Sequence, residues 1–164
     1  MSGIARTAAE AAKRASEVLG VASEEVRNEA LFAMAAALRA ERAFILEANE
    51  RDMNAAREAG TKEGLLDRLM LDDARVEAMA ASLESLAALP DPTGAVLEER
   101  TLYNDLKLTR VSVPLGVVAM VYEARPNVTV DAAGICVKSG NACVLRSGCL
   151  LYTSPSPRDT ERSR

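Results

Sequence analysis

The chain has 164 residues, 49% of them apolar and 27% charged, which provides for one packed core but not for two comfortable domains or a disordered chain. Its 20 Lys and Arg are interspersed with 24 Asp and Glu for a net charge of −4, so it lacks the clustered basic surface that nucleic-acid binding requires. There is no histidine, which excludes Ser-His-Asp catalysis, Cys-His catalysis and most zinc sites built from these residues alone.

The segment from Met1 to Ser16 reads as an amphipathic packing helix, without the apolar centre of a signal peptide. Ser23 caps a helix in which Val26, Ala30, Leu31, Met34, Ala37 and Leu38 recur at three- and four-residue steps. A further helix starts near Arg42 and ends with Gly60 as its left-handed cap. Asp72 and Asp73 cap and charge the start of the next, whose stripe is Val76, Met79, Ala80, Leu83, Leu86 and Ala87. Residues 1–90 are therefore expected to be helical, each helix packing one narrow face onto something else.

The turn residues Asp91-Pro92-Thr93-Gly94 open a different regime. Residues 91–113 read as a β-ribbon, with strands at Val96–Thr101 and Leu106–Val113 around Tyr103-Asn104-Asp105. Gly116 to Tyr122 is a nearly continuous apolar run, the pattern of a parallel strand buried on both faces. Pro126 suits the first turn of a helix that runs to Lys138 and ends at Ser139-Gly140-Asn141, and Ala142 to Arg146 is a second buried strand. Residues 114–148 thus form one βαβ unit, and the fold class is α/β with most of the sheet elsewhere.

The last stretch, 149–164, breaks this pattern. From Cys149 to Asp159 it looks, residue for residue over 11 residues, like the translation of a transposase-type sequencing-library adapter, and it is expected to be a non-native tail. No apolar run approaches the roughly 20 residues of a membrane span. Three irregularly spaced cysteines fit a reducing compartment, so a cytoplasmic location without membrane or nucleic-acid partners is expected.

The most suggestive stretch is Tyr122 to Thr129, at the carboxyl end of a buried parallel strand, the edge where open α/β sheets bind ligands. Asn127 offers an amide donor that does not titrate, a fit stabiliser for an oxyanion. Arg125 could hold a phosphate or carboxylate. The alternative is that Asn127 and Thr129 cap the helix and Arg125 is solvated. Arg146, with Ser147 and Gly148, leaves the next strand at the same edge and suits a nucleotide's phosphates or ribose, unless it is merely an arginine entering solvent. Neither G-x-G-x-x-G nor G-x-x-x-x-G-K-[ST] occurs, so any nucleotide site is non-standard. Cys136 and Cys143 sit among apolar residues and read as inert packing, not nucleophiles.

Six blocks in order make the chain recognisable: Ile45 to Asn49, Leu66 to Leu69, Leu89 to Gly94, Val113 to Val117, Tyr122 to Asp131 and Lys138 to Ala142. From about Ala8 to Gly148 the chain resembles the γ-glutamyl phosphate reductases, or glutamate-5-semialdehyde dehydrogenases, of the aldehyde dehydrogenase superfamily. The resemblance implies an aldehyde-dehydrogenase-like fold: N-terminal helices plus the first βαβ part of an incomplete Rossmann-like cofactor domain. It implies NADPH-dependent reduction of γ-glutamyl phosphate to glutamate 5-semialdehyde, the second step of proline synthesis. Asn127 would take the oxyanion position and Arg146 would contact the adenosine end of NADPH. The family tends to Arg-Gly-Gly here, and Arg146-Ser147-Gly148 departs from it. The parent would be a homo-oligomer, with glutamate 5-kinase as a candidate associate. The nucleophilic cysteine would follow Gly148, so this N-terminal piece is expected to be inactive alone. Two other readings stand beside this one: a different aldehyde-dehydrogenase-type oxidoreductase, which the catalytic domain would distinguish, and a non-enzymatic helical interaction module made of residues 1–90, which would fold by itself.

Overall fold

A computed structural model describes residues 3–122 and 125–147. Five helices come first: α1 (Gly3–Leu19), α2 (Glu24–Ala40), α3 (Arg42–Glu58), α4 (Glu63–Leu69) and α5 (Asp73–Ala87). Their ends follow local chemistry. The Ser23 hydroxyl accepts from the Val26 amide at 3.4 Å, and the Asp72 carboxylate accepts from the Arg75 amide at 2.7 Å. Gly60 takes φ +70 one residue past the cap of α3, where a side chain would be strained.

The buried face of α2 differs from the expected stripe. It consists of Arg27, Leu31 and Ala35, while Val26 is 55% exposed. The reason is that Arg27 finds polar partners inside. Its Nη2 donates to Asp91 Oδ2 at 2.5 Å and its Nη1 to Thr93 Oγ1 at 2.6 Å, so the guanidinium is buried and satisfied. Leu31 and Ala35 then meet Ala80, Leu83 and Ala87 of α5 in the main core. Fully burying Leu31 and Leu83 stabilises the fold by about 1.5–3 kcal/mol each. Val130 and Val137, from the helix α6 (Pro126–Lys138), pack on the same cluster, so the helical half and the strand–helix unit share one core. A smaller cluster joins Met53 and Ala56 of α3 to Leu69 of α4, a short helix that apolar periodicity did not reveal. Asn49 locks this cluster: its Nδ2 donates to the Leu69 carbonyl at 2.8 Å and its Oδ1 accepts from the Leu71 amide at 2.7 Å.

β1 (Val96–Thr101) and β2 (Lys107–Val111) form an antiparallel ribbon turned at Asp105, with both faces exposed. β3 (Val117–Tyr122) and β4 (Ala142–Ser147) pair in parallel, from Val117 opposite Ala142 to Tyr122 opposite Ser147. β3 was expected to be buried on both faces, but Ala119 and Val121 are exposed. Among the described residues β4 is its one strand neighbour, and α1 and α6 lean chiefly on β4.

The α6–β4 corner is tightly built. Gly140 has φ +71, and a Cβ there would lie 2.9 Å from Pro114 Cγ. Asn141 Oδ1 accepts from the Gly116 amide at 2.8 Å, aligning the starts of the two parallel strands. Lys138, 3% exposed, donates from Nζ to Ala87 O at 3.0 Å, Asn28 Oδ1 at 2.9 Å and Glu24 Oε1 at 3.3 Å. These bonds fix the direction in which α6 delivers its first turn.

Candidate active site

β3 ends at Tyr122, whose phenolic oxygen shares a 2.5 Å hydrogen bond with Thr129 Oγ1 on α6. That bond ties the end of the strand to the helix that follows it. Pro126 occupies the first position of α6, where its missing N–H costs nothing. The cap residue is Arg125, in extended conformation, and no side chain caps the helix. The capping alternative for Asn127 and Thr129 is therefore not what the structure contains. Thr129 is engaged with Tyr122, and Asn127 is exposed, its Nδ2 reaching Asp131 Oδ2 at 3.5 Å, the far limit of a hydrogen bond.

Asn127 lines a cavity of about 480 Å³ between α4, α5 and the first turn of α6. Arg125 lines it from the cap of α6, Asp131 from α6 itself, Arg68 from α4 and Arg75 from α5. Arg75 is already engaged. Its Nη1 donates to the Asp67 and Met70 carbonyls at 2.5 and 2.7 Å, and its Nη2 donates to Asp67 Oδ1 at 3.0 Å, bracing the end of α4. Arg68 and Arg125 have no ion-pair partner among the described residues. Asp67 also lines the cavity and is paired with Arg75, which leaves an uncharged amide donor, two guanidinium groups and one carboxylate, a set able to polarise a carbonyl and bind a substrate carrying both signs of charge.

Arg146 is exposed at the carboxyl end of β4, opposite Val121, and is not among the residues lining this cavity. The structure therefore brings Arg125 and Asn127 together and leaves Arg146 apart on the same strand-pair edge. Gly148, the Ser147 side chain and the tail from Cys149 lie outside the described residues. Burial pushes the Cys136 thiol up, and neighbouring Cys143 adds to the effect, so Cys136 is poorly suited to attack. No cluster of metal ligands occurs among the described residues. Nor, among them, is any helix long and apolar enough to cross a membrane. The site reading from sequence missed Arg68 and Asp131. A legible signal for Asp131 was its place four residues after Asn127 on one helix.

Solved structures place the fold. The chain matches a γ-glutamyl phosphate reductase from Thermotoga maritima with TM-score 0.83 and 39% identity, covering 88% of this chain and 35% of that one. A second, from Saccharomyces cerevisiae, gives TM-score 0.84 and 34% identity over 92% of this chain and 38% of that one. The architecture is accordingly part of an aldehyde-dehydrogenase-like α/β fold. Among curated proteins, the γ-glutamyl phosphate reductase of Moorella thermoacetica is 52% identical over 149 residues, 91% of this chain and 36% of its own length. That of Heliobacterium modesticaldum is 54% identical over 137 residues, 84% of this chain and 33% of its own length. No protein-family model matches. The chain is a homologue of the γ-glutamyl phosphate reductases and spans about a third of the length of the relatives it matches.

Proposed function

We propose that this chain forms the oxyanion-stabilising part, and some of the cofactor-binding part, of a cytoplasmic NADPH-dependent reductase that converts γ-glutamyl phosphate to glutamate 5-semialdehyde and phosphate. The observation that carries the reading is Asn127: an exposed amide in the first turn of the helix that follows a parallel strand, lining a cavity with two guanidinium groups that have no ion-pair partner among the described residues, in a homologue of reductases with that substrate in their name. When a nucleophile adds to the γ-carbonyl carbon, negative charge gathers on the carbonyl oxygen. The Asn127 Nδ2 donates to that oxygen without giving up a proton. Arg125 meets the charge of the departing phosphate.

The cofactor residues are assigned from place and chemistry. Arg146 is an exposed guanidinium at the strand edge where α/β folds hold nucleotides, and with Ser147 and Gly148 it would take the adenosine end of NADPH. NADPH, when bound, supplies a hydride. The thiolate that this chemistry calls for is neither Cys136, buried in α6, nor Cys143, within β4. The 164-residue chain by itself is therefore expected to give no turnover.

The test is a hybrid of residues 1–147 with the remainder of the Moorella thermoacetica relative, assayed for phosphate-dependent NADP reduction by glutamate 5-semialdehyde. Activity is expected, with Asn127→Ala lowering kcat by about 10²–10³-fold while KM changes little. A folded Asn127→Ala hybrid as fast as the unmodified one would refute the role of Asn127. The module reading of residues 1–90 finds no support, because Val130 and Val137 complete the core on which those helices pack.

A further inference from the structure

Two groups in the cavity are idle in the mechanism above. Asp131 is half-buried one turn beyond Asn127 on α6, and the single polar contact recorded for it is the one at 3.5 Å. Arg68 reaches the same cavity from the last turn of α4, with no hydrogen-bond or ion-pair partner among the described residues. Of the other two arginines there, Arg125 is assigned to the phosphate, and Arg75 already directs three of its five N–H donors to the Asp67 and Met70 carbonyls and the Asp67 carboxylate. A free cation and a lightly engaged anion lining one cavity beside an amide donor suit a zwitterion better than a dicarboxylate or an aliphatic aldehyde.

The spacing fits a glutamyl group. Asn127 Nδ2 and Asp131 Oδ2 lie 3.5 Å apart, and hydrogen bonds of about 2.9 Å at each let one ligand with polar groups about 5 Å apart span both. Four covalent bonds separate the γ-carbonyl carbon of an extended glutamyl chain from its α-nitrogen, about 5 Å. A glutamyl group with its carbonyl oxygen at Asn127 therefore lays its ammonium beside Asp131. We infer that Arg68 and Asp131 determine specificity for the amino-acid end of the substrate, Asp131 holding the α-ammonium and Arg68 the α-carboxylate. This assignment rests on the role of Asn127 given above. A basic residue in the last turn of α4 also suits the helix dipole, but Lys would serve that purpose equally, whereas a fork of two N–H donors matched to a carboxylate needs Arg.

The experiment is an amide-resolved NMR titration of the full ¹⁵N-labelled chain. The probes are L-glutamate, glutarate, which lacks the ammonium, and 4-aminobutyrate, which lacks the α-carboxylate. L-glutamate is expected to give saturable shifts centred on Arg68, Asn127 and Asp131, with both analogues bound at least tenfold more weakly. Arg68→Ala should weaken L-glutamate about tenfold and leave 4-aminobutyrate unchanged, and Arg68→Lys should recover little. Asp131→Asn should weaken L-glutamate and leave glutarate unchanged. The assignment is overturned if L-glutamate produces no saturable shift at these residues, or if Arg68→Ala binds it as the parent chain does. If Arg68→Ala is silent while the hybrid enzyme is active and depends on Asn127, the subsite falls and the proposed function stands. If the hybrid is inactive while L-glutamate binding still depends on Arg68 and Asp131, the subsite stands and the proposed function falls.

Discussion

Replacing Lys138 by Met removes an ammonium from the interior while keeping an unbranched stem, and so isolates what its hydrogen bonds do for α6. Lys138 is 3% exposed and donates to three oxygens on two other helices. The Ala87 carbonyl belongs to the last residue of α5, where no helical amide follows to satisfy it. In Lys138→Met it becomes a buried acceptor without a partner, which costs about 1–3 kcal/mol. Asn28 is half-buried and loses a second bond, while Glu24, at 40% side-chain exposure, is rehydrated at little cost. The gain from no longer desolvating an ammonium offsets part of this. The two acceptors together cost about 2–6 kcal/mol before that offset, so the expected net loss is about 3 kcal/mol, a large share of the 5–15 kcal/mol typical of a whole domain. Urea unfolding followed by helical circular dichroism measures it, with a matching fall in Tm of roughly 6–12 °C. A loss below about 1 kcal/mol, or a gain, would show that the three bonds merely repay the burial of the charge, and the seating argument for α6 would fail.

Gly134→Ala places a Cβ 2.5 Å from Leu83 Cδ2 and 3.2 Å from Leu86 Cδ2, and Leu83 is itself packed in the main core. Overpacking should outweigh the gain in helix propensity and destabilise by about 1–2 kcal/mol in the same urea assay, and a more stable variant would contradict this packing. Asn49→Ala leaves the Leu69 carbonyl and Leu71 amide without their partner and should cost about 2–4 kcal/mol, with faster proteolysis between α3 and α5 as a local readout. Burial pushes the Asp91 carboxyl up, but the Thr93 amide, the Arg27 charge and their side-chain bonds outweigh it and hold it below its ordinary range. A carboxyl depressed in the folded state stabilises above its unfolded pKa of about 3.9 and loses that effect as pH falls through the folded value, so Tm should drop below about pH 4, with a shallower drop in Asp91→Asn. Cys136, with its thiol pushed up, should react with a disulfide reagent at pH 8 far more slowly in the folded chain than in urea, and equal rates would place it at the surface.

What could be read from sequence was governed by local chemistry. Ser23, Asp72, Gly60 and Pro126 act within a few residues of themselves, so each helix end they mark is where it was expected. The stripe Val76, Met79, Ala80, Leu83 and Ala87 was legible because all its buried members are apolar. The buried face of α2 was not, because Arg27 is there by virtue of Asp91 and Thr93, more than 60 residues away. α4 escaped notice because 7 residues are too few to show a helical period. In the candidate site, the residue types of Arg125 and Asn127 and their place after a strand singled them out, whereas Arg68 and Asp131 become candidates only because α4 and α6 border one cavity.

The bond from Lys138 to Glu24 closes across 114 residues, and Val130 and Val137 finish a core that Leu31 begins. During synthesis at about 5–20 residues per second, α2 leaves the ribosome roughly 6–23 s before the helix that seals it. Through about the first half of that interval Leu31, Ala35 and the Arg27 guanidinium await α5, Asp91 and Thr93, and for the rest of it the core stays open on the side that Val130 and Val137 close.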